Sequence, residues 1–153
     1  MRIAGIDPGE KRIGIALGDT LLGVATPAGT IRITGQRDAV RKLEAFVREK
    51  EAGAVVVGLP LNLNGTRGPA AEKATAFAEA LRKVLTVPVH AWDERLTTAG
   101  MHREMIEAGV RRDRRGGMVD QLAAQQILQS YLDARARPHE HTGDLPPDRI
   151  PER

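Results

Sequence analysis

Residues 5–19 read GIDPGEKRIGIALGD, and this stretch predicts two β-strands joined by a tight turn. The apolar runs RIAGI (2–6) and RIGIALG (12–18) flank residues 7–11, DPGEK, which are rich in turn formers. Asp7 stands at the end of the first run, where a buried charge is unfavourable unless it is paired or binds a ligand. A carboxylate at the end of a buried strand therefore needs a specific reason.

The rest of the chain predicts three more strands and four helices. Apolar periodicity and turn signals place strands at 22–34, 54–60 and 87–92, and helices at 37–51, 69–84, 97–108 and 118–135. The order β-β-β-α-β-α-β-α-α predicts an α/β fold with a mixed sheet, in which three antiparallel strands are followed by parallel strands. Helices are expected on both faces of this sheet.

Length and composition indicate one domain. The chain has 153 residues, of which 41% are hydrophobic and none is cysteine, so disulfides, thiolate metal sites and cysteine nucleophiles are excluded. We expect the domain to cover residues 1–135 and the proline-rich segment 136–153 to be a disordered tail. Since no apolar stretch is long enough to span a bilayer and no signal-peptide pattern is present, we expect a cytoplasmic protein without a membrane partner.

Arginine dominates the basic residues, at 18 of the 23 Lys and Arg side chains. The guanidinium group matches phosphate oxygens in a bidentate geometry, which favours a nucleic-acid partner. A GC-rich genome would produce the same bias, so composition alone leaves the partner open.

Three carboxylates are candidates for one site. Asp7 ends the first strand, Glu94 (with Asp93 beside it) ends the last strand, and Asp120 lies in the first turn of the final helix. The carboxyl ends of parallel strands gather at one edge of a sheet, and small residues after Asp120 would let its helix approach that edge.

Three neighbouring carboxylates repel one another, and a divalent cation removes that repulsion. Oxygen ligands suit Mg²⁺ or Mn²⁺, and two such ions about 4 Å apart can activate a water and stabilise the leaving oxygen in phosphodiester cleavage. Each residue also has a simpler interpretation: Asp7 as a turn former, Glu94 as the partner of Arg95, and Asp120 as a complement to the helix dipole. Spacing alone leaves both interpretations open.

Four segments resemble the YqgF or RuvX family, in the family's order along the chain. DPGEKRIGIALGD (7–19) resembles its first strand pair and GLPLNLNGTRGP (58–69) the loop after its fourth strand. DERLTT (93–98) is similar to its most recognisable short motif, and GGMVDQLAAQQILQSYLD (116–133) to its closing helix. The resemblance covers residues 1–135.

The resemblance implies an RNase H-like fold and a divalent-metal-dependent nuclease that acts on structured nucleic acid. It implies that Asp7, Glu94 and Asp120 are the catalytic residues and bind Mg²⁺ or Mn²⁺, with two ions expected. Members are linked to 5′-end maturation of the 16S ribosomal RNA precursor, our main expectation, and to Holliday junction resolution in DNA recombination. Pro8 replaces the bulky residue of many members and resembles the Asp-Pro-Gly of RuvC-type resolvases, which leaves RNA versus branched DNA open.

Polar side chains around these motifs are expected to bind the substrate backbone. They are Lys11, Arg12, Asn62, Arg67, Arg95, Arg111, Arg112, Arg114 and Arg115. Each also has a simpler interpretation as a solvated turn, a salt bridge or a charged loop.

Two other functional classes share parts of this pattern. Phosphotransferases of the actin and sugar-kinase type also place an aspartate after the first strand, but they need two such domains. A nucleic-acid-binding module that has lost catalysis is the second alternative. Paired cuts in a junction would require two sites and thus a homodimer, whereas a monomer would suit RNA processing, and the sequence leaves both open.

Overall fold

The computed structural model describes residues 1–61, 64–94 and 116–136; at 116–119 it describes only the backbone. The strands and helices within these ranges are β1 Arg2–Asp7, β2 Arg12–Asp19, β3 Val24–Arg32, α1 Gln36–Lys50, β4 Ala54–Leu59, α2 Pro69–Val84, β5 Val89–Asp93 and α3 Gly116–Ala136. The predicted helix at 97–108 and the predicted tail beyond Ala136 lie outside the described residues, so both stay predictions.

The five strands form one mixed sheet in the order β3-β2-β1-β4-β5. Strands β1, β2 and β3 pair antiparallel, whereas β4 pairs parallel with both β1 and β5. The predicted topology is therefore confirmed, and the carboxyl ends of β1, β4 and β5 lie at the same edge of the sheet.

Helices α1 and α2 cover one face of the sheet. Leu43 of α1, together with Phe77 and Leu81 of α2, is buried against side chains that include Ile6 and Val57. The apolar spacing of both helices places these residues on one stripe, and the polar residues face outward.

Helix α3 covers the opposite face, which confirms the prediction of helices on both sides. Its Ala124, Ile127 and Leu128 are fully buried against mostly aliphatic side chains of the sheet. Trp92 of β5 is also buried here, and its Nε1 donates a hydrogen bond to Ser130 Oγ at 3.1 Å. The single tryptophan is thus a packing residue.

Two details of α3 differ from the prediction. The helix begins at Gly116 rather than at 118, so Asp120 lies beyond the first turn. The apolar periodicity of residues 118–135 predicts Leu122 on the buried face, but Leu122 is 39% exposed, whereas Leu128 and Leu132 are buried. At 3.6 residues per turn, the buried stripe through Ala124 and Leu128 leaves Leu122 on the far side of the helix.

None of the helices in the described part of the chain has the length and apolar character needed to cross a membrane.

Candidate active site

Asp7 ends β1 and is 5% exposed. Strand alternation places it on the same face as Ile3 and Gly5, which is the face covered by α3. A Cβ on Gly5 would lie 2.7 Å from Leu128 Cβ, so the helix backbone runs close over this strand. Asp7 is therefore a buried carboxylate beneath the start of α3 rather than a solvated turn residue.

Glu94 directly follows β5 and is 2% exposed. Its Oε2 lies 2.7 Å from the position that a Cβ on Gly58 would occupy. Gly58 is the β4 residue after Val57, and Val57 is the register partner of Ile6. Because this β4 position has no side chain, nothing from β4 projects between the carboxylate of Glu94 and Asp7.

Asp120 reaches the same region from α3. A Cβ on Gly14 would overlap the carbonyl oxygen of Asp120, and Gly14 is the register partner of Asp7 on β2. Asp7 thus has a glycine beside it on each neighbouring strand. The Asp120 backbone lies over Gly14, and the Glu94 carboxylate lies against Gly58. Gly14 and Gly58 were not among the site residues predicted from the sequence, although a glycine inside an apolar strand indicates that another group approaches closely.

Arg12 holds the Asp120 side chain. Its Nε donates a hydrogen bond of 2.9 Å to Asp120 Oδ2, in an ion pair whose side chains are 26% and 17% exposed. Arg12 was predicted to bind the substrate backbone, with a salt bridge as its simpler interpretation; the structure shows it paired with the third carboxylate, and the substrate contact stays a prediction. The alternative interpretation of Asp120, as a complement to the helix dipole, fits less well, because Asp120 lies beyond the first turn of α3.

The carboxylates do not form a ready-made metal cluster. Within residues 1–61, 64–94 and 116–136, no group of three or more His, Cys, Asp or Glu side chains is placed to hold a metal ion. The donor chemistry nevertheless fits a hard divalent cation, because Asp7 and Glu94 offer buried carboxylate oxygens on one face. Asp93 lies on the alternate side of β5, the side of Val89, which packs in the core under α1 and α2.

Two of the other predicted substrate-binding residues are described. Lys11 lies exposed in the turn between β1 and β2, and Arg67 lies exposed just before α2. Near Arg67, Asn64 Oδ1 accepts the Thr66 N–H at 3.0 Å, so part of this loop is a local turn stabilised by a side chain. The remaining predicted residues, Asn62, Arg95, Arg111, Arg112, Arg114 and Arg115, lie outside the described residues.

A cavity of about 600 Å³ opens on the other side of the turn that follows Asp7. Its walls come from that turn and from the first residues of α1 and α2, and they include Ile13 and Phe77. Lys73 Nζ and Glu10 Oε2 pair at 2.7 Å beside it. Asp7, Glu94 and Asp120 do not line this cavity, so it is separate from the carboxylate site.

Comparison with known proteins identifies the family. The RuvX family, described as Holliday junction resolvase, matches residues 1–134. This chain belongs to the RuvX family. A protein of Pelotomaculum thermopropionicum is 44% identical over 148 residues, covering 96% of each chain, and one of Caldanaerobacter subterraneus subsp. tengcongensis is 45% identical over 136 residues, covering 88% of this chain and 98% of that protein. Both relatives carry the name "Putative pre-16S rRNA nuclease".

Solved structures with low sequence identity share the fold of this RuvX member. The RuvC of T. thermophilus in complex with a Holliday junction substrate superposes with a TM-score of 0.54 at 19% identity, covering 89% of this chain and 96% of that one. The fowlpox virus Holliday junction resolvase gives a TM-score of 0.53 at 14% identity, covering 88% and 99%. The predicted RNase H-like fold is thereby confirmed.

Proposed function

We propose that this RuvX member is a divalent-metal-dependent nuclease in which Asp7, Glu94 and Asp120 are the catalytic carboxylates. The observation that carries the proposal is the burial of Asp7 and Glu94 on one sheet face at the ends of parallel strands. Burying two carboxylates on one sheet face is unfavourable unless hydrogen bonds or opposite charges compensate them, and a bound cation supplies such a charge. Membership of a nuclease family supports a cation with a catalytic role.

Oxygen-only ligands favour Mg²⁺ or Mn²⁺ over softer metals. Asp7 and Glu94 would hold the cation, and Asp120 would join them once it is released from Arg12. When bound, the cation supplies positive charge that stabilises the phosphodiester as negative charge develops on it. We expect two ions, because a pair can stabilise both the attacking and the leaving oxygen.

The chain's own residues prepare this site in two ways. Trp92 and Ile127 are buried on the same face and exclude water, which strengthens the electrostatic interactions of the carboxylates. Arg12 keeps Asp120 neutralised until substrate arrives. Its guanidinium can then donate to a phosphate oxygen, since the same fork binds carboxylates and phosphates.

We propose that the substrate is the 16S ribosomal RNA precursor, cut near its 5′ end. The names of the relatives at 44% and 45% identity support this substrate. The exposed Lys11 and Arg67 would contact the RNA backbone, together with Arg95, Asn62 and the arginines at 111, 112, 114 and 115. Backbone contacts of this kind position the substrate and carry little sequence information.

Holliday junction resolution is the second candidate. The description of the family and the shared fold with RuvC favour it. Symmetrical cuts in a junction need two active sites at a fixed spacing, so this function predicts a homodimer in solution.

One cleavage assay separates these functions. The protein is incubated with Mn²⁺ or Mg²⁺ and either a labelled 16S precursor fragment or a four-way DNA junction, with Asp7→Asn as the control. Cleavage of RNA alone, lost in Asp7→Asn, supports precursor processing, whereas paired nicks in the junction alone support resolution. If the wild-type protein binds both substrates and cuts neither, the nuclease proposal fails and the chain is a binding module.

A further inference from the structure

Three glutamines of α3 bind the backbone of the edge strand β3. Gln121 Oε1 accepts the Gly29 N–H at 2.9 Å, and Gln125 Nε2 donates to the Ala25 carbonyl at 3.0 Å. Gln129 makes two backbone bonds: its Oε1 accepts the Ala25 N–H at 2.9 Å, and its Nε2 donates to the carbonyl of Gly23, just before β3, at 2.8 Å. The spacing of four residues places all three glutamines along one side of the helix.

The bond to Gln121 depends on an irregularity in β3. The register between β2 and β3 shifts between Ile15 and Ala16, which pair with Gly29 and Pro27, so Ala28 is an extra residue. Gly29 has φ +108°, a value that glycine tolerates and other residues rarely adopt. A bulge of this kind changes the direction of nearby backbone groups, and here the Gly29 N–H is turned toward α3.

Gln121 is the residue after Asp120, so this bond fixes the turn of helix that carries the third carboxylate. On the other side of the same turn, the Asp120 carbonyl lies against Gly14 and its carboxylate accepts from Arg12 Nε. We infer that Gln121 is a positioning residue, which sets the direction of the Asp120 carboxylate through the bulge in β3. This inference rests on the proposed function of Asp120.

Hydrogen-bond polarity provides the matched variants. Gln121 acts as an acceptor, so Gln121→Glu keeps the bond to Gly29 and Gln121→Leu removes it. Gln125 acts as a donor, so Gln125→Leu removes a comparable bond one helical turn away from Asp120. Gln125→Glu adds the same negative charge as Gln121→Glu, but its carboxylate cannot donate to the Ala25 carbonyl, so it also loses that bond. Comparing Gln125→Glu with Gln125→Leu, which loses the same bond without adding charge, isolates the effect of the charge.

The first measurement needs no metal. Since Arg12 Nε–H donates to Asp120 Oδ2, its NMR resonance reports the position of the carboxylate. We expect Gln121→Leu to shift or broaden this resonance and to speed hydrogen exchange of the Gly29 amide. Gln121→Glu should restore both, and Gln125→Leu should leave the Arg12 resonance unchanged. An Arg12 resonance unaffected by Gln121→Leu would overturn the inference.

The second measurement is the affinity of each variant for Mn²⁺ in the absence of nucleic acid, with electron paramagnetic resonance as the readout. Loss of a group that orients a metal ligand lowers metal affinity by roughly 10–100-fold, and we expect Gln121→Leu to lose about tenfold. Gln121→Glu should bind better than Gln125→Glu, and Gln125→Leu should bind within about twofold of the wild-type protein. A positioning role would be overturned if Gln121→Leu and Gln125→Leu lost Mn²⁺ affinity equally and if these losses paralleled the decreases in their unfolding midpoints.

The two measurements also separate this inference from the proposed function. If the wild-type protein neither binds Mn²⁺ nor cuts nucleic acid, yet Gln121→Leu still displaces the Arg12 resonance, then the nuclease proposal fails and the tether on Asp120 stands. If the wild-type protein cuts its substrate and Gln121→Leu has wild-type kcat, KM and Mn²⁺ affinity, then the nuclease stands and the positioning role fails.

Discussion

Glycine at positions 14 and 58 sets how closely Asp120 and Glu94 approach the sheet. A methyl group at residue 14 would meet the backbone of Asp120, whereas one at residue 58 would meet the side-chain ends of Glu94 and Ile127. Side-chain ends can move and a helix backbone cannot do so easily. Overpacking a core costs about 1–3 kcal/mol. We expect the free energy of unfolding, measured with urea, to fall by an amount at or above the top of this range in Gly14→Ala and near its bottom in Gly58→Ala.

Gly53→Ala is the matched control for both glycine variants. Its added methyl group would meet mainly the flexible side chain of Met1, so it should change stability least of the three. A Gly14→Ala protein as stable as Gly53→Ala would contradict the close approach of α3 to β2.

Arg12 and Asp120 should contribute little to folding despite their short contact. Both side chains remain partly exposed, so solvent screens the pair. A double-mutant cycle with Arg12→Ala and Asp120→Ala, measured by urea unfolding, should give a coupling free energy below about 1 kcal/mol. A coupling several times larger would mean that the pair is structural, and would weaken the proposal that Asp120 can be released to a cation.

The turn between β2 and β3 gives the protein an acid-sensitive element. Asp19 accepts hydrogen bonds from the N–H groups of Leu21 and Leu22, and the Leu21 bond is the main cause that lowers the pKa of Asp19 below its ordinary 3.8. A carboxylate whose pKa is lower in the folded than in the unfolded protein stabilises the fold fully at pH values above the unfolded-state pKa. This stabilisation is lost as the pH falls through the folded-state pKa. We therefore expect the wild-type protein to lose its stability advantage over Asp19→Asn below about pH 4.

The measurement is the free energy of unfolding of both proteins at pH 6 and pH 3. Asparagine can still accept the two backbone hydrogen bonds, so the comparison isolates the charge. A difference between the two proteins that is the same at both pH values would contradict the lowered pKa of Asp19.

The order of strands and helices could be predicted because it depends on local periodicity. The apolar run before Asp7 forms β1, which ends at Asp7. Small residues after Asp120 were expected to let the helix approach the sheet, and Ala124, four residues after Asp120, is fully buried. The partners of α3 could not be predicted in the same way. Gly5, Gly14 and Gly58 come from three strands, and the face that each presents depends on the register between strands.

The role of the α3 glutamines was also beyond local patterns. Polar residues spaced four apart usually mark the solvated face of a helix. Here Gln121, Gln125 and Gln129 bind an edge strand about 100 positions earlier in the chain. An edge strand presents unpaired backbone groups, and only the tertiary arrangement of β3 and α3 shows that side chains satisfy some of them.

For the molecule as a whole, nucleic-acid affinity should depend strongly on salt. If Arg111, Arg112, Arg114 and Arg115 bind phosphates, replacing all four by glutamine should flatten the slope of log Kobs against log salt by up to roughly 3–4 units. The loss should be similar for different sequences, because these contacts go to the backbone. Fluorescence anisotropy over a salt series measures the slope, and an unchanged slope would exclude these arginines from the interface.

Binding of Mn²⁺ to the isolated protein tests the central claim most directly. Loss of a residue that only orients a metal ligand weakens metal binding by roughly 10–100-fold. Asp7→Asn and Glu94→Gln should each weaken Mn²⁺ binding by more than this, because each removes a proposed ligand. Asp93→Asn should bind like the wild-type protein, since Asp93 lies on the alternate side of β5. Wild-type affinity in Asp7→Asn, or an equal loss in Asp93→Asn, would contradict a catalytic metal site built on Asp7, Glu94 and Asp120.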